Sequence, residues 1–511
     1  MKRRLARHLV LTSLFCVGCT SIAPAPAHPE PVRVSDARGT LPAARSAAAV
    51  ARAVEASPDP ASMQALMELM QTLSTEPLYK DNKVGLLVDG PATYAAMLDA
   101  LRGARHYINL EMYIIGDDEV GRTFSHVLKQ KAAQGVKVRL LYDSVGSREA
   151  SDAFFDDLRN AGVEVIPFNP INPLEGGHPL KINNRDHRKV LVVDGQTAFT
   201  GGLNIDRNYS SGSSPGGSSA SGHSGESSGT SGLSSRSTTD GASTVPTAFS
   251  TSDERDGGTY PDGSAHSTHS ESGSVSSEKS QRGKPGWRDT DIVVQGPAVA
   301  ALEDAFRDSW QRAGGTMDIE TVEPTAHGQD LVRILSSVGG DGTVSPIRTA
   351  YELAFDNASS RVWITQPYFA PDKALLESLR DAVKRGVDVR LILPSTSDSA
   401  VVLNGARYHY TGLLEGGVRI FESNDSMLHA KTAVIDGVWS TVGSSNLDYR
   451  SFLHNDEINA VILGKSFGAQ LEGRFEIDQA ASTEITLADW KRRPLLDRVK
   501  QFFSHVFAYW L

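Results

Sequence analysis

Apolar and polar positions follow the same order in the two halves of the chain. Residues 105–143 run from an apolar strand, through a helix with apolar residues three and four positions apart, to a glycine and a second apolar strand. Residues 360–394 repeat this order, with Gly386 where the first half has Gly135. A spacing of three and four marks one face of a helix, and an unbroken apolar run marks a buried strand. Both segments therefore predict a strand-helix-strand unit.

The repeat extends in both directions. Residues 83–101 and 331–355 each predict a strand followed by a helix, and glycines at 162 and 417 each introduce one more strand. Near-continuous apolar strands that alternate with helices are typical of α/β proteins whose sheets are covered on both faces. We therefore predict two α-β-α sandwich lobes, at residues 61–310 and 311–485, related by a pseudo-twofold axis. The length of 511 residues agrees, because one core rarely organises so long a chain.

Composition narrows the class of protein. Apolar residues make up 40% of the chain and charged residues 22%, which is typical of a globular protein. The net charge is −10, whereas general nucleic-acid binding requires a concentration of Lys and Arg that can displace counterions from phosphates. We therefore expect no nucleic-acid partner.

The N-terminus has the pattern of an export signal. Basic residues precede an apolar run from about Leu9 to Val17, which is too short to span a membrane. The end of the segment, FCVGC, resembles the lipobox of bacterial lipoproteins, in which the final cysteine, here Cys19, is lipidated. An uncleaved anchor and an ordinary cleaved signal are the alternatives. We predict a lipoprotein-type signal at 1–19, an Ala/Pro-rich tether at 20–60, and a lipid-anchored position in a bacterial cell envelope, exposed to the periplasm.

Each half contains a histidine and a lysine two positions apart, followed by an aspartate. The two sets are His187, Lys189 and Asp194, and His429, Lys431 and Asp436. On a strand, residues two apart project from one face, so each histidine points the same way as its lysine. A glycine follows each aspartate, as in a tight turn, so the aspartate makes the turn, orients the site, or does both. A single histidine on a strand is usually structural, but the same spacing at matching places in two repeats favours function.

This doubled spacing resembles the signature of the phospholipase D superfamily, and the resemblance covers nearly all of residues 80–480. The stretches SSNLDYRSFLHNDE and QPYFAPDKALL are similar to its cardiolipin synthase branch. The resemblance implies one composite active site between the lobes, with His187 as the nucleophile that forms a phosphohistidine and His429 as the acid that becomes the base. It also assigns Asp289 and Glu457, at equivalent places downstream of the two motifs, to holding the histidines.

Phosphodiester chemistry explains why these residue types occur together. The negative charge of the substrate repels a nucleophile, so cations must cover the non-bridging oxygens, and Lys189 and Lys431 supply them. Asn204, Asn446 and Ser444 could donate hydrogen bonds. Two imidazoles titrate near neutrality and can divide attack on phosphorus from protonation of the leaving alcohol. Four strand-end residues open toward the same cleft and are either part of the site or ordinary strand ends: Glu111, Tyr113, Gln366 and Tyr368.

No metal and no other cofactor is expected, because a protonated lysine is not a ligand and the chain has no HExxH motif or cysteine cluster. The resemblance implies phosphatidyl transfer that makes cardiolipin from phosphatidylglycerol, with this and other phospholipids and the membrane surface as partners. The first alternative is a hydrolase, a phospholipase D or less favourably a nuclease, since the motifs do not decide the acceptor. The second is a non-enzymatic lipoprotein with relic motifs. The sequence leaves the second lipid and the oligomeric state open.

Two segments fall outside the repeat. Residues from about 210 to 285 are rich in Ser and Gly and nearly free of apolar residues, which predicts a disordered insertion that leaves Asn204 and Asp289 in place. Residues 486–511 predict an amphipathic helix that either lies at a membrane interface or packs onto the second lobe. Its apolar face comprises Leu495, Val499, Phe502, Phe503, Val506, Phe507 and Trp510.

Overall fold

The computed structural model describes residues 32–55, 60–61, 63–64, 67, 77–170, 183–212, 286–317, 324–340, 342–424 and 426–506. The predicted signal at 1–19, with Cys19, lies outside the described residues. So do most of the predicted insertion at 210–285 and the last five residues of the chain. None of the described helices is both long and apolar enough to cross a membrane.

The sheet of the first lobe is mixed and has the order β6-β5-β4-β8-β9-β10-β3, with parallel pairing from β6 to β4 and antiparallel pairing from β4 onward. The strands of this half are β1 (Val34–Asp36), β2 (Gly39–Thr40), β3 (Leu78–Val88), β4 (Tyr107–Met112), β5 (Lys137–Asp143), β6 (Glu164–Phe168), β7 (Arg185–Asp186), β8 (Val190–Val193), β9 (Thr197–Gly201) and β10 (Thr290–Gln295).

The sheet of the second lobe repeats this order as β15-β14-β12-β16-β17-β19-β11, with parallel and antiparallel pairs at the same places. The strands of this half are β11 (Asp330–Ser337), β12 (Arg361–Thr365), β13 (Phe369–Ala370), β14 (Asp388–Pro394), β15 (Arg419–Ser423), β16 (Thr432–Ile435), β17 (Trp439–Gly443), β18 (Leu447–Asp448), β19 (Asn455–Leu463) and β20 (Ser482–Ile485). The matching strand order confirms the predicted repeat of two α/β lobes.

One long strand joins the two sheets. The first part of β3 pairs with β11 of the second lobe, and its second part pairs with β10 of the first. Within the described ranges, the helices are α1 (Ala43–Glu55), α2 (Asp89–Gly103), α3 (Glu119–Ala133), α4 (Asp152–Asn160), α5 (Val299–Arg312), α6 (Pro346–Asn357), α7 (Lys373–Lys384), α8 (Ala400–Tyr408), α9 (Tyr410–Glu415), α10 (Tyr449–Leu453), α11 (Lys465–Ala480), α12 (Leu487–Lys491) and α13 (Leu495–Val506), and Arg207–Tyr209 forms a 3-10 turn.

Local sequence signals start and end the repeated helices. The carboxylate of Asp118 accepts hydrogen bonds from the first backbone N–H groups of α3, and Asp372 does the same for α7. The glycines after these helices, Gly135 and Gly386, have φ of 85° and 92°, a left-handed conformation that glycine adopts without steric cost. The repeated pattern of the sequence therefore encodes the same helix boundaries twice.

Each sheet is covered on its outer face by helices and on its inner face by a core that both lobes share. Outside the first sheet lie α2, α3 and α4, and outside the second lie α6 and α7. The shared core joins Val192 of β8 and Val434 of β16 with Leu302 of α5 and Leu471 of α11. Because this core is continuous across the lobes, it holds them at one fixed geometry, and the site lies where they meet.

The prediction of a tether over residues 20–60 is wrong for residues 32–55. Strand β1 pairs in parallel with the start of β3, and Val34 is fully buried. Ala49 of α1 packs in the same cluster as the outer helices of the second lobe. Alanine is the best helix former, so an Ala-rich stretch becomes a helix where a neighbouring strand anchors it.

Candidate active site

Two short parallel pairings bring the halves of the site together. Strand β7 pairs with the first residues of β19, so Asp186 lies beside Asp456. At the equivalent place, Arg288 lies beside Leu428. In both pairings, the residue before a histidine is matched with the residue before an acid of the other lobe. Each histidine is thereby placed next to the acid that the opposite lobe supplies.

The backbone fixes both histidines in this arrangement. The N–H of His187 donates to the carbonyl of Asp456 over 3.0 Å, and the N–H of His429 donates to the carbonyl of Arg288 over 2.7 Å. Both imidazoles are almost fully buried, with 7% and 4% of the residue exposed. Backbone hydrogen bonds that cross between lobes make the position of each ring depend on the packing of both.

His187 is held by Glu457 of the second lobe. The His187 Nδ1 atom lies 3.0 Å from both carboxylate oxygens of Glu457. Ser444 donates its hydroxyl to the same carboxylate over 2.5 Å, and Asn455 donates its amide over 3.2 Å. Among the described residues, Nε2 of His187 has no hydrogen-bond partner. The acid therefore orients the ring so that Nε2 is available for reaction.

His429 is held by Asp289 of the first lobe. Its Nδ1 atom lies 2.7 Å from the Asp289 carboxylate and 3.3 Å from the hydroxyl of Tyr209. The rings of Tyr209 and Trp287 pack around the imidazole at centroid distances of 5.7 Å and 5.3 Å. The two acids predicted from the sequence are thus both in the site, and each serves the histidine of the opposite lobe.

The two lysines lie beside the histidines. Lys189 Nζ donates to the carbonyl of His187 over 2.7 Å and lies 5.1 Å from the ring centre of Tyr113. Lys431 Nζ lies 2.9 Å and 3.1 Å from the two ring nitrogens of His429. Both lysines are buried. The predicted His and Lys residues of both motifs therefore form one buried cluster.

Burial shifts the titration of this cluster. It lowers the pKa of both His187 and His429 to about 4; for His187 the neighbouring Glu457 opposes the shift, and for His429 the adjacent Lys431 adds to it. It also lowers the pKa of Lys189 to about 7 and that of Lys431 to about 8. The free site therefore holds neutral imidazoles, and one or both lysines carry charge at neutral pH.

The acids remain ionised in spite of their burial. Burial alone raises the pKa of Glu457, but His187 and Lys189 outweigh it and hold the pKa at about 2. At Asp289, burial is likewise outweighed by Lys431 and His429, so the pKa is lowered. When both lysines are protonated, their charges therefore balance those of the two carboxylates.

The motif aspartates lie outside this cluster. Asp194 follows β8 at the end opposite His187 and accepts from the N–H groups of residues 105–107 over 2.7 to 2.8 Å. Asp436 accepts from the N–H groups of residues 359–361 over 2.8 to 2.9 Å. Both have φ of 52° in their turns. Of the two roles left open by the sequence, this placement favours the structural one, so their inclusion among the catalytic residues is corrected.

The predicted hydrogen-bond donors are placed differently from one another. Ser444 is committed to Glu457 and also accepts from the N–H of Ile458 over 3.0 Å. Asn204 accepts from the N–H of Ile114 over 3.1 Å and donates to Tyr209 over 3.0 Å. The Oδ1 atom of Asn446 is buried without a partner in the described part of the chain. Ser444 and Asn204 therefore support the site residues instead of facing the substrate.

Aromatic neighbours are the main feature that sequence reasoning missed. Tyr209 and Trp287 flank the predicted insertion, and no spacing links them to His429. Of the strand-end residues, Tyr113 lies 4.8 Å from the His187 ring and Tyr368 lies 6.2 Å from the His429 ring. Tyr113 and Tyr368 occupy equivalent positions in the two repeats, and this equivalence was the sequence signal that could have placed them in the site.

The other two strand-end residues lie behind the site. Glu111 and Gln366 are fully buried and have side-chain atoms without hydrogen-bond partners in the described ranges. Burial raises the pKa of Glu111 and, together with the charge of Glu111, that of the neighbouring Asp186. In the parts of the chain that the structure describes, no group of three or more His, Cys, Asp or Glu residues is arranged to hold a metal ion.

Known proteins match both the chain and its fold. A family model described as "Cardiolipin synthase, PLD-like domain" matches residues 97–213 and 352–479, one segment in each lobe. A cardiolipin synthase of Geobacillus thermodenitrificans (strain NG80-2) is 30% identical over 462 residues, which are 89% of this chain and 78% of the relative. Cardiolipin synthase A of Pseudomonas fluorescens (strain SBW25) is 31% identical over 432 residues, 83% and 74% of the two chains.

A solved structure shares the fold. The phosphatidylserine synthase of Haemophilus influenzae Rd KW20 aligns with a TM-score of 0.57 at 13% identity, covering 87% of this chain and all of that one. The two-lobed fold, the doubled site and the family match define an enzyme of the phospholipase D superfamily. Within that superfamily, the chain belongs to the cardiolipin synthase family.

Proposed function

We propose that this chain transfers a phosphatidyl group from one phosphatidylglycerol to the headgroup hydroxyl of another, making cardiolipin and releasing glycerol. The observation that carries the proposal is the buried cluster in which two histidines, two crossed acids and two lysines converge. Such a cluster supplies a nucleophile, an acid and cations for one phosphodiester. Relatives at 30% and 31% identity that are named cardiolipin synthase support the choice of reaction.

In the first step, Nε2 of His187 attacks phosphorus. A P–N bond forms, the P–O bond to glycerol breaks, and His429 gives a proton to the departing oxygen. In the second step, His429 takes a proton from the hydroxyl of the second lipid, whose oxygen attacks phosphorus and breaks the P–N bond. The unpartnered Nε2 of His187, compared with the crowded ring of His429, supports this division of roles.

The lysines support both steps by neutralising the phosphate. Lys189 and Lys431 would face the non-bridging oxygens, whose negative charge increases as the nucleophile approaches. An anionic substrate between the lysines also offsets their repulsion of a protonated His429. We infer that substrate binding raises the pKa of His429 far enough for it to act as an acid.

A cavity next to the histidines offers room for the glycerol headgroup. It has a volume of about 350 Å³, and its walls include Tyr113, Tyr209 and Trp287. Ser147 and Asp206 add polar groups to the lining. Hydroxyl-bearing headgroups suit such a mixture of aromatic walls and polar side chains.

The deciding experiment is an assay with labelled phosphatidylglycerol in vesicles. Cardiolipin and glycerol in equal amounts are expected from the purified chain. Phosphatidic acid as the only lipid product would contradict the proposal and identify a hydrolase. A catalytically inactive His187→Ala variant is the control for contaminating activity.

We further propose that the enzyme works on a bacterial membrane, held there by a lipid on Cys19. The export-type N-terminus and the lipobox-like FCVGC support this location. Intact-mass analysis of the protein from membranes should show loss of residues 1–18 and a diacylglyceryl adduct. An unmodified Cys19 on the mature protein would contradict the anchor.

A further inference from the structure

A second cavity lies under the C-terminal helix. It has a volume of about 400 Å³ and is enclosed by α13 together with α7, α8 and α9. Its residues are separate from the His and Lys cluster and from the cavity beside it. Six polar or aromatic side chains in its lining carry the argument: Arg380, Tyr408, His409, Arg493, Arg498 and Gln501.

The charge of this cavity is positive. None of the residues that line it is acidic, and three are arginines. Arg493 is committed to neighbours, since it donates to Gln501 over 3.0 Å and lies over the ring of Trp490. Arg380 has no hydrogen bond or ion pair within the described part of the chain. Its guanidinium is therefore available for an anion.

Two glycines make room for that arginine. A Cβ atom at Gly416 would lie 2.6 Å from Cγ of Arg380, and one at Gly412 would lie 3.4 Å from its Nη1 atom. The absence of a side chain at Gly412 of α9, and at Gly416 directly after α9, leaves room for Arg380 to extend toward the cavity.

A buried imidazole adds an unused polar atom. The Nε2 atom of His409 is buried and has no hydrogen-bond partner among the described residues. Burial, with added repulsion from His505 and Arg380, lowers the pKa of His409 to about 3, so the ring is neutral. A neutral imidazole that carries its proton on Nε2 can donate one hydrogen bond to a phosphate oxygen. Buried polar groups without partners are costly, so an absent ligand is a reasonable partner.

The outer side of α13 is apolar and uncovered. Gln501 faces the lobe and is 3% exposed, whereas the apolar side chains face away. Their exposed fractions range from 46% at Val506 to 75% at Leu495. The exposed apolar residues of α13 and the adjoining α8 are Val401, Tyr408, Leu495, Leu496, Val499, Phe502, Phe503 and Val506. The helix therefore packs on the second lobe, as one of the two predicted alternatives states, with His505 stacked on Tyr408 of α8. Most of its apolar side chains are left exposed, as the other alternative requires.

We propose that the cavity and this apolar surface together bind one anionic phospholipid, at a site separate from the catalytic centre. The phosphate would lie on Arg380, Arg498 and His409, and the acyl chains would lie along the exposed face of α13. A phospholipid is favoured as the occupant because it combines, in one molecule, an anion and apolar chains that match two adjoining surfaces. The cations at 491, 492 and 500 are each paired with an acidic side chain, so they add no net charge beside the apolar face.

The lipid site under α13 depends on the proposed function in one respect only: a lipid substrate gives the chain a reason to be at a bilayer. Binding is therefore measured with the full chain carrying His187→Ala, so that turnover does not enter. Vesicles of phosphatidylcholine are compared with vesicles that also contain phosphatidylglycerol, by flotation. Failure of the cardiolipin assay would leave this result unaffected.

Paired variants separate the two parts of the site. Arg380→Gln with Arg498→Gln should weaken binding to phosphatidylglycerol vesicles about 25-fold, or about fivefold for each charge, and leave binding to phosphatidylcholine unchanged. Phe502→Ser with Phe503→Ser should weaken binding to both kinds of vesicle. Arg102→Gln with Arg122→Gln removes the same charge from exposed positions of the first lobe and should have little effect. Circular dichroism checks that each variant is folded.

Three results would overturn the proposal. The first is equal vesicle binding by the Arg380/Arg498 pair and its control. The second is calorimetric binding of inorganic phosphate that the Arg380/Arg498 pair abolishes while vesicle binding is unchanged, which would make the cavity a site for free phosphate. The third is a change of oligomeric state in light scattering for the Phe502/Phe503 pair without a change in vesicle binding, which would make a second copy of the chain the occupant.

Discussion

The His187 and His429 halves of the site have the same backbone frame and different surroundings. In both, a short parallel pairing places the histidine beside an acid of the other lobe. His187 has a glutamate supported by a serine and an amide, and its Nε2 atom is unpartnered. His429 has an aspartate, a tyrosine hydroxyl and a lysine against its ring. The duplicated backbone arrangement therefore allows the two histidines to have different roles.

The two orienting acids differ in side-chain length, and the residue that faces each carboxylate differs with them. Gly202 and Ser444 occupy equivalent positions after β9 and β17. At Gly202 a Cβ atom would lie 2.1 Å from the Asp289 carboxylate, so the shorter acid requires a glycine there. At Ser444 the hydroxyl reaches Glu457 and fixes it. The two halves thus hold their acids by different local solutions, which explains why repeat symmetry alone does not predict the side-chain contacts.

The largest expected effect separates the roles of the two histidines. With phosphatidylglycerol, both His187→Ala and His429→Ala should lose at least about 10⁴-fold in turnover, since nucleophile and acid act as a unit. A phosphatidyl ester of p-nitrophenol needs no acid for its leaving group. With it, His429→Ala should give a burst of p-nitrophenol and a stable adduct on residue 187, detected by mass spectrometry, whereas His187→Ala should give none. A burst from His187→Ala with an adduct on residue 429 would reverse the assignment.

The second effect concerns the lysines. In the free enzyme, Lys189 loses its proton near pH 7 and Lys431 near pH 8. Deprotonation removes the positive charge that attracts an anionic phosphodiester, so kcat/KM should fall steeply as pH rises above 7, and more steeply above pH 8. Between pH 4 and pH 7 it should already fall, by about tenfold per unit, because His429 must take up a proton to act as the acid and its pKa in the free enzyme is about 4. A profile that rises from pH 7 to 9 would contradict this account.

A smaller loss is expected from the orienting acids. Glu457→Gln and Asp289→Asn keep the size of each side chain and remove its charge, and each should lower kcat about 10- to 100-fold with little change in KM. The burst assay sharpens the comparison between the halves. Glu457→Gln should slow the burst with the p-nitrophenol ester, because it weakens His187, whereas Asp289→Asn should not. Equal slowing by both variants would show that the acids do not serve separate histidines.

The smallest effect on activity is expected at the motif aspartates. Asp194→Ala and Asp436→Ala each remove the acceptor of three backbone N–H groups and should lower the free energy of unfolding by about 1–3 kcal/mol. The Asn variants retain one acceptor and tolerate positive φ, so they should lose less. Urea denaturation measures the stability, and kcat should stay within about twofold. A loss of activity comparable to that of the histidine variants, at unchanged stability, would return these residues to the catalytic set.

Much of the backbone fold can be predicted from the sequence, because the sequence signals for its strands and helices are local and occur twice. Alternation of strands and helices predicts two sheets, and glycines at matching places predict the helix ends. The spacing within one strand predicts that the side chains of His187 and Lys189 point the same way, since residues two apart lie on one face of a strand whatever it packs against. Duplication then distinguishes these pairs from incidental histidines. The export-type N-terminus rests on the same kind of local evidence, and it lies outside the described residues.

Contacts between distant parts of the chain were decided by the tertiary structure. The sequence predicts that Asp289 and Glu457 hold histidines, but the crossing of each to the opposite lobe follows from the way β7 and β19 meet. Tyr209 and Trp287 reach His429 only because the lobes pack around a shared core. For residues 32–55, pairing with β3 turned a predicted tether into part of the second lobe. The physical reason is that sequence periodicity determines which way a side chain points. The residue that this side chain contacts depends on long-range packing, which a local sequence pattern does not determine.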